Sequence, residues 1–404
     1  MPAETMRPAL LSAYTMTTCL GRGLEAARAA LRAPRSALAP CRFESVQLDT
    51  FIGEIAGVDD VAVPAGLARY DCRNNRAAEL ALAQDGFADA VARSARRHGP
   101  DRIGVFMGTS TAGILQTELA YRRRGADGAL PASFDYRHTH NTFSIAKYLR
   151  ERLELRGPCA AISTACSSSA KAFASAARLI DAGLIDAAVV GGVDTLCLTT
   201  LYGFNSLQLL SPGPCRPYDA ARDGISIGEG AAFFLLERAA DTAPRDTFAL
   251  LGVGESCDAY HMSSPHPEGL GARMAMEAAL ASAGLAPASI DYVNLHGTGT
   301  PSNDAAEDKA VNGLFGARVP VNSTKGMTGH ALGAAGAVEA MIAVLAIDEG
   351  IVPASPGTRI LDPELRASYD ISGGRRVLAR VMSNSFGFGG SNCSLVFGRL
   401  RDAA

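Results

Sequence analysis

The sequence contains no tryptophan, no long apolar run and no surplus of either charge. Its 38 Lys and Arg against 41 Asp and Glu leave a formal charge of −3, so the basic excess of a nucleic-acid binder is missing. Apolar runs stop short of the ~18–20 residues of a membrane span. The first apolar stretch is broken by Ser12, Thr15, Thr17 and Thr18, which argues against a signal peptide. None of the nine cysteines falls in a CxxC or CxxH pair, and their count is odd. Neither a disulfide framework nor a zinc cluster fits, so no metal is expected. The free thiols point to a reducing, cytoplasmic compartment. Low-complexity segments, tandem repeats and charge blocks are absent too. What remains is a globular composition, 48% hydrophobic and 20% charged. With 404 residues, a core forms without staples, and length alone suggests two or three units at ~150 residues each.

The 42 glycines cluster in short bursts beside apolar runs. They include Gly191-Gly192, Gly228 and Gly230, Gly297 and Gly299, Gly333 and Gly336, and Gly387 to Gly390. Such bursts suit tight backbone approaches at loop ends. Strand and helix patterns alternate. Ile103–Met107, Cys159–Ser163 and Ala187–Val190 read as buried strands, with a helix over Ser168–Ala182. A second series follows, with strands at Ile290–Leu295 and Val319–Asn322 and helices at Asn303–Phe315 and Leu332–Asp348. Val377–Ser383 and Ser394–Phe397 read as closing strands. Unbroken apolar strands between helices imply an α/β sheet covered on both faces. Two α/β halves are expected, residues 1–239 and 240–404, with the seam in Arg238–Arg245. The halves echo one another. In each, a strand runs into a small polar turn and then a helix, which would put Cys166 and His330 at related helix N-termini.

Four segments carry chemistry. Cys166 lies in Ser163-Thr164-Ala165-Cys166-Ser167-Ser168-Ser169, between an apolar strand and a helix. A strand-to-helix turn would place its thiol where the dipole and free N–H groups favour thiolate and can hold an oxyanion. The alternative is a buried, inert cysteine. His296 ends a strand and opens His296-Gly297-Thr298-Gly299-Thr300, at the carboxyl end where α/β sites form. Lys325-Gly326-Met327-Thr328-Gly329-His330 follows, with Glu339 nine residues on. His330 near a helix N-terminus is expected to stay neutral. Lys325, in an apolar strand context, needs a partner, and Glu339 is the candidate. Surface positions are the alternative for both. The last segment, Asn384-Ser385-Phe386-Gly387-Phe388-Gly389-Gly390-Ser391-Asn392, reads as a hairpin turn or as backbone that completes an oxyanion hole.

In this order, Cys, HGTGT, KGMTGH and GFGGSN, with 130 residues from 166 to 296 and 34 from 296 to 330, the chain resembles the β-ketoacyl-acyl-carrier-protein synthases of the I/II type. Arg216-Pro217-Tyr218-Asp219 and Arg222-Asp223-Gly224 add to the resemblance, which covers essentially the whole chain. It implies a thiolase fold: two duplicated halves in five α-β-α-β-α layers. It implies that Cys166 takes an acyl group from the phosphopantetheine arm of acyl-carrier protein. His296 and His330 then promote decarboxylation of malonyl-carrier protein, and the enolate attacks the thioester, giving 3-oxoacyl-carrier protein and carbon dioxide. Lys325 and Glu339 match a supporting ion pair. The backbone N–H groups of Cys166 and Phe388 match an oxyanion hole, and Phe388 also matches an aromatic gate. Thr298 and Thr300 match supporting positions. The family binds no cofactor of its own.

The Cys166 segment is closer to polyketide-type synthases. Thr111, in Gly108-Thr109-Ser110-Thr111-Ala112-Gly113, resembles a residue at the bend of the acyl pocket. Together these suggest an aryl-polyene or pigment pathway, with fatty-acid chain elongation as the other reading. The expected partner is an acyl-carrier protein. The expected assembly is a homodimer, or a heterodimer with a chain-length-factor-like homologue. Arg122-Arg123-Arg124, Lys147, Arg150 and Arg152 are candidate docking residues for an acidic carrier. A thiolase is the rival reading, but it needs a second cysteine in the C-terminal glycine loop, where GFGGSN has none. A non-catalytic chain-length factor is the other, but it would lack the nucleophile.

Overall fold

The computed structural model describes residues 5–240 and 242–403. Met1–Glu4 and Asp241, within the predicted seam, lie outside the described residues.

Ten strands carry the architecture. In the first half they are β1 (Ala9–Thr18), β2 (Ile103–Gly108), β3 (Cys159–Ile162), β4 (Ala187–Asp194) and β5 (Gly230–Arg238). In the second they are β6 (Phe248–Cys257), β7 (Tyr292–Asn294), β8 (Pro320–Asn322), β9 (Arg380–Gly387) and β10 (Ser391–Arg399). From the middle of the sheet outward, the first half runs β1-β5-β4-β2-β3 and the second β6-β10-β9-β7-β8. The pairing repeats step for step. β1/β5 and β5/β4 are antiparallel, then β4/β2 and β2/β3 are parallel. Likewise β6/β10 and β10/β9 are antiparallel, then β9/β7 and β7/β8 parallel. Within the sheet the halves join where β1 pairs β6, through Ala9↔Leu250 and Leu10↔Ala249.

Two helices are buried between the half-sheets: α1 (Ser168–Asp181) and α5 (Ala335–Glu349). Every residue of α5 from Ala335 to Ile347 is buried, as befits a helix apolar on all sides. Helices Arg73–Leu82, Phe87–His98 and Ser144–Arg152 cover the outer face of the first half. On the second half, the outer cover is α3 (Leu270–Ala283) and α4 (Pro301–Phe315). This is the five-layered thiolase arrangement. A shorter helix, α2 (Leu198–Ser206), lies on a separate apolar cluster with Leu115, Ile225 and Leu332.

Several boundaries differ from the sequence reading. β4 continues four residues past Val190, through Gly191, Gly192 and Val193 to Asp194. The glycines stay in the strand because a Cβ on Gly192 would lie 2.7 Å from that of Ser169 on α1. Lys325 is not on a strand: β8 stops at Asn322, and Lys325 opens a four-residue turn of helix. The closing strand β9 starts at Arg380, not Val377, which is 92% exposed. The halves also interpenetrate. The 216–224 loop belongs to the first half in sequence but is hydrogen-bonded to the second, with Arg359 and Ile360 donating their N–H groups to Asp219.

Candidate active site

The duplicated topology delivers two parallel strands in each half whose carboxyl ends open toward one place. From β3 the chain enters a turn at Ala165, a non-glycine residue at φ +53. Backbone strain of this kind persists only where neighbours enforce it. Here the serines do so. Ser168 Oγ donates to the Ala165 carbonyl at 2.6 Å and accepts from the Thr164 N–H at 2.9 Å, while Ser167 Oγ donates to the Thr164 carbonyl at 2.9 Å. Cys166 is thereby held just ahead of α1 and is 7% exposed.

His296 follows β7, and His330 follows β8 and the short Lys325 helix. Cys166 Sγ and ring nitrogens of His296 and His330 all lie within 4.8 Å of one another, and all three residues are buried. The two imidazoles meet edge to face, centroids 5.3 Å apart. Burial, and then the Lys325 ammonium, hold both well below the usual histidine range, with each other's charge adding to the effect on His296. Both are therefore neutral near pH 7, as expected for His330, but burial rather than a helix terminus is the main cause. Among the described residues neither ring nitrogen of His330 has a protein partner, which leaves both for a ligand.

The thiol departs from expectation. Burial pushes Cys166 up to about 11, outweighing the Lys325 charge and the Phe388 N–H that favour thiolate. At that value the sulfur is held as a thiol, and any attack from it would require proton transfer to a neighbouring base. The Phe388 N–H reaches the Cys166 sulfur from the turn between β9 and β10. A Cβ on Gly387 would lie 2.8 Å from the Thr164 carbonyl and 3.3 Å from the Cys166 nitrogen. GFGGSN is thus both a hairpin turn and a wall of the site.

Lys325 and Glu339 form a buried ion pair, and the same ammonium donates to the His296 carbonyl and lies 3.3 Å from His296 Nδ1. Burial raises Glu339 to about 7 against the pull of Lys325. Thr298 and Thr300, their hydroxyls 2.9 Å apart, line a cavity of about 60 Å³ with Cys166, Phe204, Phe386 and Phe388.

Thr111 does not line this cavity. It is 1% exposed, and its hydroxyl donates to Asp194 at 2.8 Å. Asp194 also accepts from the Thr109 hydroxyl and from the N–H groups of Ser110, Thr111 and Gly333. The loop after β2 is thereby tied to the segment that follows His330. Thr111→Val, the same shape without the donor, is expected to cost about 1–3 kcal/mol of stability, read as a lower denaturant midpoint; an unchanged midpoint would show that the bond contributes nothing.

Sequence reasoning missed this aspartate, and it missed Asp304 and Glu307 on α4, whose carboxylates accept the backbone N–H groups of the HGTGT loop. Acids spaced i, i+3 in the first turns of a helix directly after a glycine loop were the available signal. Of the docking candidates, Arg152 bonds Glu79, Arg122 bonds Glu44 and Ser45, and Arg124 covers the Tyr121 ring. Cys393, the cysteine nearest the glycine turn in sequence, is fully buried within β10 and does not line the cavity.

Two family models match the chain: the β-ketoacyl synthase N-terminal domain over residues 73–242 and the C-terminal domain over residues 248–359. The 3-oxoacyl-[acyl-carrier-protein] synthase 2 of Vibrio cholerae is 38% identical over 317 residues, covering 74% of this chain and 76% of that protein. Nodulation protein E of Rhizobium meliloti is 36% identical over 73% of this chain and 75% of its own length. Among solved structures, the ketosynthase (ApeO) in complex with its chain length factor (ApeC) from Xenorhabdus doucetiae superposes with a TM-score of 0.89. It is 38% identical and covers 97% of this chain and 98% of that one. Among the described residues no helix is long and apolar enough to cross a membrane.

Proposed function

The chain belongs to the β-ketoacyl synthase family and is an acyltransferase making 3-oxoacyl-carrier protein, and from that premise we propose the roles of its residues. Cys166 is the nucleophile. Its proton passes to an imidazole, His330 being the one with both nitrogens unpartnered, as the sulfur attacks the acyl thioester. The thioester oxygen is held by the N–H groups of Cys166 and Phe388, and the phosphopantetheine thiol leaves. Malonyl-carrier protein then occupies the same cavity. His296 and His330, both neutral, donate hydrogen bonds to its thioester oxygen, so the electrons freed with carbon dioxide are stabilised as an enolate without easy protonation of carbon. The enolate carbon attacks the Cys166 thioester and releases the thiol. Lys325 fixes the His296 tautomer by keeping a positive donor beside Nδ1, and Glu339 balances its charge. That ammonium also makes the Cys–His–His cluster unfavourable for a metal cation, in keeping with chemistry that needs no bound cofactor.

The observation that carries this reading is the convergence of the sulfur and two neutral imidazoles within 4.8 Å. Intact-mass analysis tests it. With acyl-carrier protein, the chain is expected to gain one acyl group, mapped to Cys166; with malonyl-carrier protein added, the acyl group is discharged as 3-oxoacyl-carrier protein. An adduct on another residue, or condensation by Cys166→Ala, would refute it.

The pathway reading is finer. The likeness to the ketosynthase of a ketosynthase–chain-length-factor complex at 38% identity supports a heterodimer with such a homologue, and the Cys166 segment is what suggests aryl-polyene or polyketide assembly. The 38%-identical synthase 2 relatives support fatty-acid elongation, for which a homodimer is the assembly we propose. The cavity, with Phe388 and its neighbour Phe204 in its wall, does not choose between them. Division into halves at 239/240 and a cytoplasmic location complete the proposal.

A further inference from the structure

We propose that Tyr218 is a positioning residue for decarboxylation, setting His296 through a buried hydroxyl–carboxylate–backbone chain with Glu307. The inference rests on the roles given to Cys166 and His296 above. His296 sits on a loop that no regular structure holds, since β7 ends at Asn294 and α4 begins at Pro301. Two carboxylates of α4 hold it instead. Glu307 accepts the His296 N–H at 2.7 Å and the Gly297 N–H at 2.8 Å. Asp304 accepts the Thr298 and Gly299 N–H groups at 3.1 and 3.3 Å. Tyr218 binds both acids: its hydroxyl donates to Glu307 at 2.6 Å and its N–H to Asp304 at 2.8 Å. Its ring fills the space left by Gly297, where a Cβ would come within 2.7 Å of it.

Tyr218 is 1% exposed and stacks on Tyr369, centroids 4.6 Å apart. Its own loop is anchored separately: Thr358 donates to the Pro217 carbonyl at 2.8 Å, and Asp219 holds Arg359 and Ile360. The loop's path therefore does not depend on the phenol. What the hydroxyl supplies is a third hydrogen-bond donor to Glu307, which must be ionised to accept all three. Among the described residues no Arg or Lys pairs with Glu307 in the way Arg222 faces Asp304 at 3.6 Å. The charged and titratable groups around it are Asp304 on its own helix, Tyr218 and His296 from the two loops, Tyr369, and Glu339 on α5. Of these acids, Asp304 faces Arg222 and Glu339 is paired with Lys325, whose ammonium also bonds the His296 carbonyl, and burial raises Glu307 itself. Loss of the phenol hydroxyl raises it again, so the loop loses its anchor as pH falls through a higher value than in the wild type.

The test compares the two half-reactions in the full chain across pH 6 to 9. The probes are octanoyl-carrier protein for acylation, read by intact mass, and malonyl-carrier protein for decarboxylation, read as released carbon dioxide. In Tyr218→Phe, decarboxylation is expected to fall more toward the acid end of that range than toward the alkaline end, by about tenfold at its greatest, while acylation changes less than about twofold. The acid limb of the decarboxylation profile moves to higher pH. Glu307→Gln, measured alongside, keeps the size without the charge and is expected to lose decarboxylation at every pH. Equal losses in both half-reactions, an unmoved acid limb, or a Glu307→Gln protein that decarboxylates normally would each overturn the proposal. A wild-type chain that takes no octanoyl group would instead overturn the underlying assignment of Cys166.

Discussion

Replacing His296 by alanine is expected to slow decarboxylation of malonyl-carrier protein about 10²–10³-fold, the usual cost of removing one preorganised donor to a developing oxyanion. Acylation of Cys166 should change far less, because its oxyanion donors are the Cys166 and Phe388 backbone groups and His330 remains as base. The split follows from geometry. His296 is 2% exposed and held at its backbone by Glu307 and Lys325, so its ring is fixed before substrate arrives. The wild-type pH profile adds a check. Both imidazoles lie well below the usual histidine value, so their protonation should not limit decarboxylation anywhere near neutrality. A rate that drops below pH ~6.5 with an ordinary histidine titration would contradict the buried, lysine-facing environment. The measurement is carbon dioxide release, with intact mass for the acyl-enzyme; equal losses in the two steps would remove His296 from the role given to it.

The second large effect concerns stability. Lys325→Met removes one partner of an ion pair whose side chains are 1% and 3% exposed. Breaking a buried pair this way is expected to cost about 3–5 kcal/mol, because Glu339 keeps its burial and loses its counter-charge. The pH dependence has a definite sign. Glu339 already stands at about 7 with Lys325 present, and without it the value rises further above that of the unfolded chain. A carboxyl with a raised folded value favours the fold below its unfolded value, and this contribution is lost as pH rises through the folded one. The variant should therefore melt progressively lower than wild type between pH 6 and 9. Adding Glu339→Gln should restore most of the melting temperature but not decarboxylation. If the single variant is as stable as wild type at pH 8, the pair is not the buried counter-ion couple described.

Much of this was legible in the chain. The strand–helix alternation, the nucleophile's turn and the order of Cys166, His296, Lys325 and His330 carried the fold family and the reacting atoms. What was not legible shares a physical cause: polar groups whose partners are distant in sequence. Asp194 looked like the end of an apolar strand, yet it joins the loop at Thr109–Thr111 to Gly333. Asp304 and Glu307 look like a solvated helix face until the HGTGT backbone is laid over them. The thiol's protonation failed for a related reason. A helix terminus next to Cys166 favours thiolate locally, but the site is closed by Phe388 and two histidines from the other half, and enclosure dominates.

The place of β1 in the sheet has a consequence for synthesis of the protein. β1 pairs β5 from Ala9↔Arg238 to Thr18↔Gly230 and touches β6 at Leu250. Its partners are made roughly 230 residues later, at about 5–20 residues per second. For about 12–45 s the nascent chain thus carries an apolar strand whose edges are open apart from the local pairing of Thr17 and Thr18 with Arg22 and Gly21, an invitation to pair with the wrong neighbour. The first half cannot close until the chain has been made through Arg238, so of its strands β1 waits longest for a partner.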